Sequence, residues 1–461
     1  MSYISISFAI LVAVSLIIYY CIPGKYRWYV LLASSLVFYI LSGKLAVIAI
    51  LVTASLAYVM ARLAGKSAYN TKLLWASILL ILLPWITVRA LGLSIFSGIF
   101  PKEISILGIS FYSLELISYI TDVYKGKIEA ETNYLRFLTY ALFFPKIMQG
   151  PICRYEELSP KLFKESSFDS KKFSYGFMEI IFGAFLKFLI ADKCRLIADP
   201  VFDNFIVYDG LDLWIALFLF LVILYTDFLA CVMICKGVSS MFGIDLFMNF
   251  KRPMLATSFK QFWQRWHISL SKWLSDYIYI PLGGNKKGQV RRLINLLVTF
   301  LVSALWHGSN SGFLMWGLLQ VIYRMTEEVT LKGRKANKYL GRFKVCFLYG
   351  ISMAFFNLPT AKEGFDYIRC MFHFTGIRNF LAIGLINHAM GYKEFLILII
   401  SILLLVIKEL ANEAGVNFKK VLIEKPFIIR LLFYLIAIMT IVSFGTYGYG
   451  FNSADFIYGG F

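Results

Sequence analysis

The sequence places a histidine, His307, between two apolar stretches of the chain. Leu293–Trp306 is apolar apart from small polar residues, and Phe313–Tyr323 is apolar again. An imidazole, whose unperturbed pKa is about 6.5, can take up and release a proton near neutral pH. A membrane interior tolerates such a polar ring only where protein or a water-filled cavity surrounds it. His307 is therefore predicted to line an internal passage and to take part in proton transfer.

The same region predicts an interruption of the helix. Each apolar stretch is shorter than the ~20 residues that a helix needs to cross a bilayer. The join, residues 308–312, contains two glycines and small polar residues. We expect the backbone to break there, next to His307. The alternative is a histidine that only caps a helix or packs against its neighbours.

A second histidine, His267, lies in a segment rich in aromatic and basic residues. Ser258 followed by Gln261 is the pattern of a capping box, which predicts a helix start. Aromatic and apolar residues then recur at helical spacing: Phe259, Phe262, Trp263, Trp266, Leu270, Trp273 and Tyr277. Tryptophans on one flank with Arg and Lys on another favour one helix lying at the membrane interface. His267 is either functional or a structural residue of that interface.

A basic cluster follows this segment, formed by Lys286, Lys287, Arg291 and Arg292. Such clusters mark the cytoplasmic side of membrane proteins. This cluster is also suited to meet the phosphates of an incoming donor.

A third group of polar residues lies in Phe143–Tyr155. Two prolines and a glycine within this stretch exclude a straight helix. Broken backbone at membrane depth usually lines a cavity. Lys146, Gln149 and Arg154 would then supply polar lining, although they are equally compatible with ordinary interface residues.

The elements that must position these residues are transmembrane helices. The 461 residues are 59% hydrophobic, against about 45–50% in soluble domains, so an all-α polytopic membrane protein is predicted. About ten to twelve crossings or re-entrant segments are expected. They are 4–22, 27–42, 45–61, 73–93, 104–121, 172–192, 212–236, 293–306 with 313–325, 343–358, 393–408 and 427–446.

The distribution of charge predicts orientation. The net charge of +19 fits basic cytoplasmic loops beside anionic membrane lipid. It does not indicate nucleic-acid binding, because the polar loops are too short for a recognition domain. Basic residues cluster after the first and third spans and before the last: Lys25, Arg27, Arg62, Lys66, Lys72, Lys419, Lys420 and Lys425. Both termini are therefore predicted to lie outside.

Cysteines and histidines do not suggest a metal or disulfide site. The seven cysteines are scattered, their number is odd, and no CxxC pair occurs. Only four histidines are present, so a transition-metal cluster is not expected.

Together these motifs resemble the membrane-bound O-acyltransferases, and among them the bacterial alginate O-acetylase and peptidoglycan O-acetyltransferase types. The matching segments are Leu107–Tyr124, Phe143–Tyr155, Asn249–Pro253, Thr257–Asn285 and Leu305–Gly308. A single integral membrane acyltransferase domain over residues 1–461 is expected. Its motif-bearing core is about 107–318, with flanking spans in 1–106 and 319–461.

The resemblance implies a ring of tilted transmembrane and re-entrant helices around a central tunnel. An acyl thioester, acetyl-CoA or another, would enter from the cytoplasm, with no tightly bound cofactor. The acceptor would be a hydroxyl of an exported polysaccharide, a cell-wall glycan or a partner protein. An extracytoplasmic acyltransferase or esterase-like partner is expected, and the location would be a bacterial cytoplasmic membrane.

The resemblance also implies roles for individual residues. His307 maps onto the family's essential histidine, as general base, and His267 onto its second histidine. Asn310, or backbone N–H groups of 308–312, would stabilise the oxyanion. The residues expected to bind substrate are Trp306, Asn310, Gln149, Lys146, Arg154, Arg265, Trp266 and Asp276.

The sequence departs from the family pattern in one span. Asp227–Met233 replaces an Asp-Phe-Ser-Gly-Tyr-Ser-Asp run, so only the Asp-Phe pair is kept. The polar lining of the tunnel is expected to differ accordingly. One alternative function is transfer of D-alanine from a carrier protein to teichoic acid. Another is a lipid-linked sugar flippase or transporter, which is disfavoured because the spans are expected to hold few ionisable residues.

Overall fold

The computed structural model describes residues 1–66, 70–91, 107–331, 337–374, 390–447 and 456. Within these ranges the protein is helical and contains no strand, as predicted. The contacts divide the chain into two compact units. The first consists of Met1–Ile180, Cys231–Met248 and Ala454–Phe461, and the second of Ile181–Ala230 and Asn249–Ser453. That these form one catalytic domain stays a prediction.

The first unit is built on helices from the N-terminal part of the chain. They are α1 (Ile6–Cys21), α2 (Arg27–Ser42), α3 (Lys44–Lys66), α4 (Thr71–Leu91), α5 (Ile109–Tyr124), α6 (Tyr134–Leu142), α7 (Tyr155–Leu162) and the start of α8 (Ser170–Phe185). Side chains cap several of them: the Ser5 hydroxyl accepts from Phe8 N, and Asn133 caps α6. Gly108, with φ +72°, begins α5 where a Cβ would lie 2.4 Å from the Ile147 carbonyl oxygen.

The second unit carries the two histidines of interest. Its helices are α9 (Asp192–Asp203), α10 (Gly210–Met241, of which the last part belongs to the first unit), α11 (Phe259–Arg265), α12 (Ile268–Leu274), α13 (Gly288–His307), α14 (Ser311–Leu331), α15 (Lys338–Asn357), α16 (Ala361–Cys370), α17 (Tyr392–Glu413), α18 (Phe418–Ile423) and α19 (Phe427–Phe444). A π-helical segment, Leu186–Ala191, joins α8 to α9.

Five helical stretches in the described residues are long and apolar enough to cross a membrane, consistent with a multi-pass membrane protein. They are Leu45–Ala64, Ser170–Asp203, Gly210–Met241, Gly288–His307 and Phe427–Phe444. Ile6–Cys21 and Thr71–Thr87 are apolar but shorter. The number of crossings, the tunnel and the side on which the termini lie stay predictions. Of the predicted spans, residues 92–93 and 104–106 lie outside the described residues, as do 448–455 and 457–461 of the C-terminal segment.

The prediction that each half of the His307 region is too short to span a membrane is wrong for the first half, because α13 is long and apolar enough to cross. For the second half it stays a prediction, since α14 is not among the five candidate spans. α13 has 20 residues and α14 has 21. Arg291 and Arg292 are good helix formers and belong to α13, since long basic side chains can bury their stems and keep their charges in water. The interruption itself is confirmed, because α13 ends at His307 and α14 starts at Ser311.

The prediction of one continuous helix after Ser258 is also wrong. The Ser258 hydroxyl does cap α11, accepting from Gln261 N at 3.0 Å. The Gln261 side chain, however, accepts from Thr257 N, so the capping box is incomplete. α11 stops at Arg265 and α12 begins at Ile268. The rings of Trp266 and Trp273 are buried within the chain, so they pack rather than lie exposed at an interface.

Candidate active site

His307 lies at a tight connection between two long helices. It is the last residue of α13, and the Gly308 N–H donates to the Ala304 carbonyl at 3.0 Å. The side-chain oxygen of Asn310 accepts from Phe313 N at 3.0 Å and so caps α14. Caps at both ends of the connection stabilise the position of the imidazole.

Two glycines let α14 approach its neighbours closely. A Cβ on Gly317 would lie 3.0 Å from the Ala304 Cβ and the Phe300 carbonyl oxygen of α13. A Cβ on Gly312 would lie 2.5 Å from the carbonyl oxygens of Phe355 and Leu358 at the end of α15. A side chain at Gly312 would clash with the backbone and one at Gly317 would be tightly packed, so the two glycines let α14 lie close to α13 and α15 beside His307.

Aromatic rings enclose the imidazole of His307, which is 5% exposed. Its centroid lies 4.8 Å from that of Trp306, 5.1 Å from that of Phe356, 5.3 Å from that of Trp316 and 6.1 Å from that of Phe313. Such an environment keeps water away and strengthens the interactions of any charge that develops there.

His267 lies at the break between α11 and α12. Its backbone adopts φ +42° and ψ +55°, a left-handed conformation that is uncommon for residues other than glycine. Asn249 holds this conformation from outside the segment. Its carbonyl oxygen accepts from Ile268 N at 2.9 Å, and its side-chain oxygen accepts from Ser269 N at 3.0 Å. A locally unfavourable conformation is thus stabilised by tertiary hydrogen bonds, as is common at functional sites.

The imidazole of His267 is buried and neutral. Its centroid lies 4.8 Å from the Phe228 ring and 5.9 Å from the Trp306 ring. Burial lowers the pKa of His267 to about 3. The ring is therefore suited to hydrogen bonding in its neutral form rather than to carrying a positive charge at pH 7.

The structure brings three of the predicted site residues together. The Trp306 indole contacts the imidazoles of both His267 and His307. The two histidines are 40 positions apart in the sequence, and Trp306 joins them into one cluster. Their catalytic roles stay predictions.

The other predicted residues of the second unit have structural contacts. Trp266 packs on Phe250 and Phe262, with centroids 5.1 and 5.6 Å away. Arg265 lies 3.5 Å from the Glu413 carboxylate. The Asn310 oxygen caps α14, as described above. Asp276 is half-buried in a π-helical turn, Ser275–Tyr279.

Three predicted binding residues lie in the first unit. Lys146 forms a buried ion pair with Glu115, and its ammonium lies 5.0 Å from the centre of the Tyr140 ring. The second oxygen of Glu115 accepts from Cys153 N at 2.9 Å. One carboxylate therefore binds two parts of Phe143–Tyr155, the stretch predicted to be irregular. Gln149 and Arg154 are also buried.

Sequence reasoning missed a buried ionic cluster in the second unit. Lys187 Nζ lies 2.8 Å from Asp227 Oδ1 and 2.9 Å from Asp192 Oδ1, and all three side chains are at most 1% exposed. Arg195 approaches Asp227 at 3.8 Å. The expectation that the spans hold few ionisable residues is therefore wrong. Charged residues inside the apolar runs of Phe185–Asp192 and Leu224–Ala230 were the available signal.

No metal site is evident in the part of the chain that the structure describes: no group of three or more His, Cys, Asp or Glu residues is placed to hold an ion there.

Comparison with known proteins gives the family. Residues 44–358 match the model of MBOAT, the membrane-bound O-acyltransferase family. A protein of Pseudomonas fluorescens named probable alginate O-acetylase is 39% identical over 211 residues, 46% of this chain and 42% of that protein. A peptidoglycan O-acetyltransferase of Helicobacter pylori is 33% identical over 243 residues, 47% of this chain and 46% of that protein.

A more distant relative is the teichoic acid D-alanyltransferase of Bacillus subtilis. It is 27% identical over 256 residues, 51% of this chain and 62% of that protein. In each of these three comparisons the chain covers less than two thirds of the relative's length.

The family match runs from α3 to the end of α15, more than half of the 461 residues, and includes both His267 and His307. The chain therefore belongs to the membrane-bound O-acyltransferase family.

Proposed function

We propose that the protein transfers an acetyl group from acetyl-CoA to a hydroxyl of an exported polysaccharide or cell-wall glycan. His307 is the general base. One observation carries the proposal: an imidazole at the end of a membrane-length helix, enclosed by four aromatic rings and joined through Trp306 to a second buried histidine. The names of two relatives, the alginate O-acetylase and the peptidoglycan O-acetyltransferase, support an acetyl donor and a glycan acceptor.

The reaction needs one proton transfer and one bond exchange. The hydroxyl oxygen bonds to the thioester carbon while His307 takes the hydroxyl proton. The carbon–sulfur bond then breaks, and the coenzyme leaves as a thiolate that receives this proton. A base is needed because a hydroxyl is a poor nucleophile at neutral pH, and positioned bases contribute about 10²–10⁴-fold. His267, neutral at this pH, orients the reactants as a hydrogen-bonding group.

The proposed location is a bacterial cytoplasmic membrane with both termini outside. The donor would bind on the cytoplasmic side, near Lys286, Lys287, Arg291 and Arg292, because acetyl-CoA is charged and cannot cross the bilayer. The acyl group alone would pass along the tunnel to the acceptor. An extracytoplasmic acyltransferase or esterase-like protein is the expected partner in the cell, whereas transfer to short glycan fragments needs only this protein.

A second candidate is D-alanyl transfer to teichoic acid from a carrier protein, which the Bacillus subtilis relative favours. The buried Lys187 cluster removes one argument against a flippase, but membership of an acyltransferase family does not support that alternative.

The test uses the purified protein in lipid nanodiscs with radiolabelled acetyl-CoA. Alginate and peptidoglycan fragments serve as acceptors, and a D-alanyl carrier protein with teichoic acid forms a parallel assay. Free CoA and labelled glycan are expected. His307→Ala should abolish both products, whereas His373→Ala removes an exposed histidine and should leave them unchanged. Full turnover by His307→Ala would disprove the base assignment.

A further inference from the structure

Two buried polar atoms on α14 have no hydrogen-bond partner among the described residues. They are Nε1 of Trp316, a donor, and Oε1 of Gln320, an acceptor. Trp316 is 1% exposed and Gln320 is 0% exposed. Leaving such a group unsatisfied is unfavourable, and each case in a native protein calls for an explanation.

Trp316 is one of the rings that enclose His307. The two ring centroids are 5.3 Å apart, and the rings are nearly perpendicular, at 85°. On its other sides the indole contacts Phe356 at 5.3 Å and Trp263 at 6.0 Å. Its N–H is therefore carried by a ring whose position is fixed by packing beside the proposed base.

The orientation of the Gln320 amide follows from its neighbours. The Ser352 hydroxyl donates its one proton to the Tyr349 carbonyl at 2.6 Å. It can therefore only accept from Gln320, whose Nε2 lies 3.1 Å away. This fixes the amide with nitrogen toward Ser352 and leaves Oε1 as the acceptor without a described partner.

Trp316 and Gln320 lie one helical turn apart on the same face of α14, a rise of about 6 Å. A pantetheine thioester carries the complementary pair of groups. Its carbonyl oxygen accepts hydrogen bonds, and four bonds beyond the carbonyl carbon its first amide N–H donates one. The donor and the acceptor on α14 match this pair in kind, and both lie on one face of the helix.

We propose that Trp316 Nε1 binds the thioester carbonyl oxygen of the acyl donor and that Gln320 Oε1 binds the first amide N–H of its pantetheine arm. This inference rests on the proposed function, since it requires a thioester donor at His307. As the acceptor hydroxyl bonds to the carbonyl carbon, negative charge grows on the oxygen that Trp316 contacts. The charge returns to the carbon and leaves on sulfur when the carbon–sulfur bond breaks.

The Gly308 N–H already donates within α13, and the Asn310 oxygen is already used as a cap. The sequence analysis assigned these groups to stabilising the oxyanion. Trp316 is a better donor for that role than either of them. Its N–H is buried beside the base and is not used by another described residue.

The first test is Trp316→Phe, which keeps a ring against His307 and removes the N–H. We expect kcat to fall about 10²–10³-fold, as on loss of an oxyanion donor elsewhere. The smaller ring loses packing, so the midpoint of thermal unfolding should fall modestly, and kcat is compared at a temperature where both proteins are fully folded. Trp214→Phe is the matched control, since Trp214 contacts the rings of Phe218, Phe347 and Phe372, which are not among the four rings that enclose His307. It should keep wild-type kcat.

The second test uses truncated donors with and without the amide. The wild-type protein should prefer S-acetyl-N-acetylcysteamine over S-butyl thioacetate. Gln320→Met should erase this preference while leaving turnover of S-butyl thioacetate unchanged. A merely structural role of Gln320 would lower both rates together. Parallel assays with acetyl-CoA and an acetylated carrier protein identify the source of the pantetheine arm.

The outcomes separate the two proposals. If the wild-type protein transfers acetyl groups but Trp316→Phe is fully active, or the amide preference survives Gln320→Met, the inference is wrong and the proposed function stands. If the wild-type protein transfers acetyl from none of these thioesters, the proposed function is wrong and the inference falls with it.

Discussion

The ring of Phe228 lies against the imidazole of His267, with centroids 4.8 Å apart and planes at 85°. The preceding residue, Asp227, is an anchor of α10, because Lys187 binds its carboxylate at 2.8 Å. Two consecutive residues of α10 thus contact the ionic cluster and the second histidine. A substitution that displaces Asp227 should therefore also displace Phe228 and the imidazole of His267.

Replacing Lys187 should destabilise the protein strongly. Lys187→Met leaves the buried carboxylates of Asp192 and Asp227 without the ammonium between them. Breaking a buried pair from one side costs about 3–5 kcal/mol, because the remaining charge is uncompensated. The midpoint of thermal unfolding in detergent should fall accordingly.

The control is the same substitution in an exposed pair. Lys172 lies 2.8 Å from Asp245, but these side chains are 43% and 61% exposed. Exposed pairs contribute about 0–1 kcal/mol, so Lys172→Met should change the midpoint little. Equal shifts for the two variants would contradict a special role for the buried cluster.

The low pKa of His267 predicts how stability depends on pH. In the folded protein the pKa is about 3, against about 6.5 in an unfolded chain. As the pH falls, the unfolded chain binds the proton first. The stability that the neutral ring contributes is complete above about pH 6.5 and is lost progressively toward pH 3.

His267→Asn tests this dependence, because Asn does not titrate and tolerates the left-handed backbone conformation. We expect the wild-type unfolding midpoint to fall more than that of the variant between pH 7 and about pH 4. Other acid-sensitive groups are common to both proteins and cancel in the comparison. Parallel pH curves would show that His267 is not held neutral by burial.

The helices were predictable where local signals decide them. α2 occupies Arg27–Ser42, the predicted range, because basic residues and Gly43 bound an apolar run. Hydropathy alone predicts the start of α13 too late, since Arg291 and Arg292 resemble a loop by hydropathy although they are good helix formers.

The site was predictable in its residue types but not in its geometry. Both histidines were identified, yet the break at His267 depends on hydrogen bonds from Asn249, which helical periodicity does not contain. The Lys187–Asp227 pair joins residues 40 positions apart. Hydropathy averaged over a span does not show the two charges, and their pairing is evident only from the three-dimensional structure.

Glu327 should be important for the placement of α11. Its two carboxylate oxygens accept from Phe259 N at 2.9 Å and Lys260 N at 3.2 Å, two N–H groups at the start of that helix that have no partner within it. Glu327→Gln keeps the shape but removes the charge and one accepting oxygen. Hydrogen bonds to charged groups contribute about 1.5–3 kcal/mol, so a loss of this order is expected in the unfolding free energy.

Glu328→Gln is the matched control for that measurement. Glu328 forms ion pairs with Arg292 and Arg324 and is 29% exposed at its side chain. Because these pairs reach solvent, the substitution should cost less than about 1 kcal/mol. If Glu328→Gln proves the more damaging change, the cap on α11 is not what Glu327 stabilises.

Gly312→Ala should impair both stability and transfer. The new Cβ would lie 2.5 Å from the carbonyl oxygens of Phe355 and Leu358, closer than real contacts allow, so α14 and α15 must separate. Overpacking of this kind costs about 1–3 kcal/mol. Phe356 and Trp316 lie on these two helices and enclose His307, so kcat in the acetyl-transfer assay should fall as well.

Gly391→Ala supplies the comparison, because no described residue lies within 4 Å of a Cβ at Gly391 and its φ of −68° suits any residue. Its unfolding midpoint and kcat should stay close to those of the wild-type protein. Gly312→Ala with normal stability and normal kcat would mean that the enclosure of His307 does not depend on the close approach of α14 and α15. A normal kcat with reduced stability would restrict the role of this contact to folding, because the rings around the imidazole would then tolerate the displacement that the added methyl group imposes.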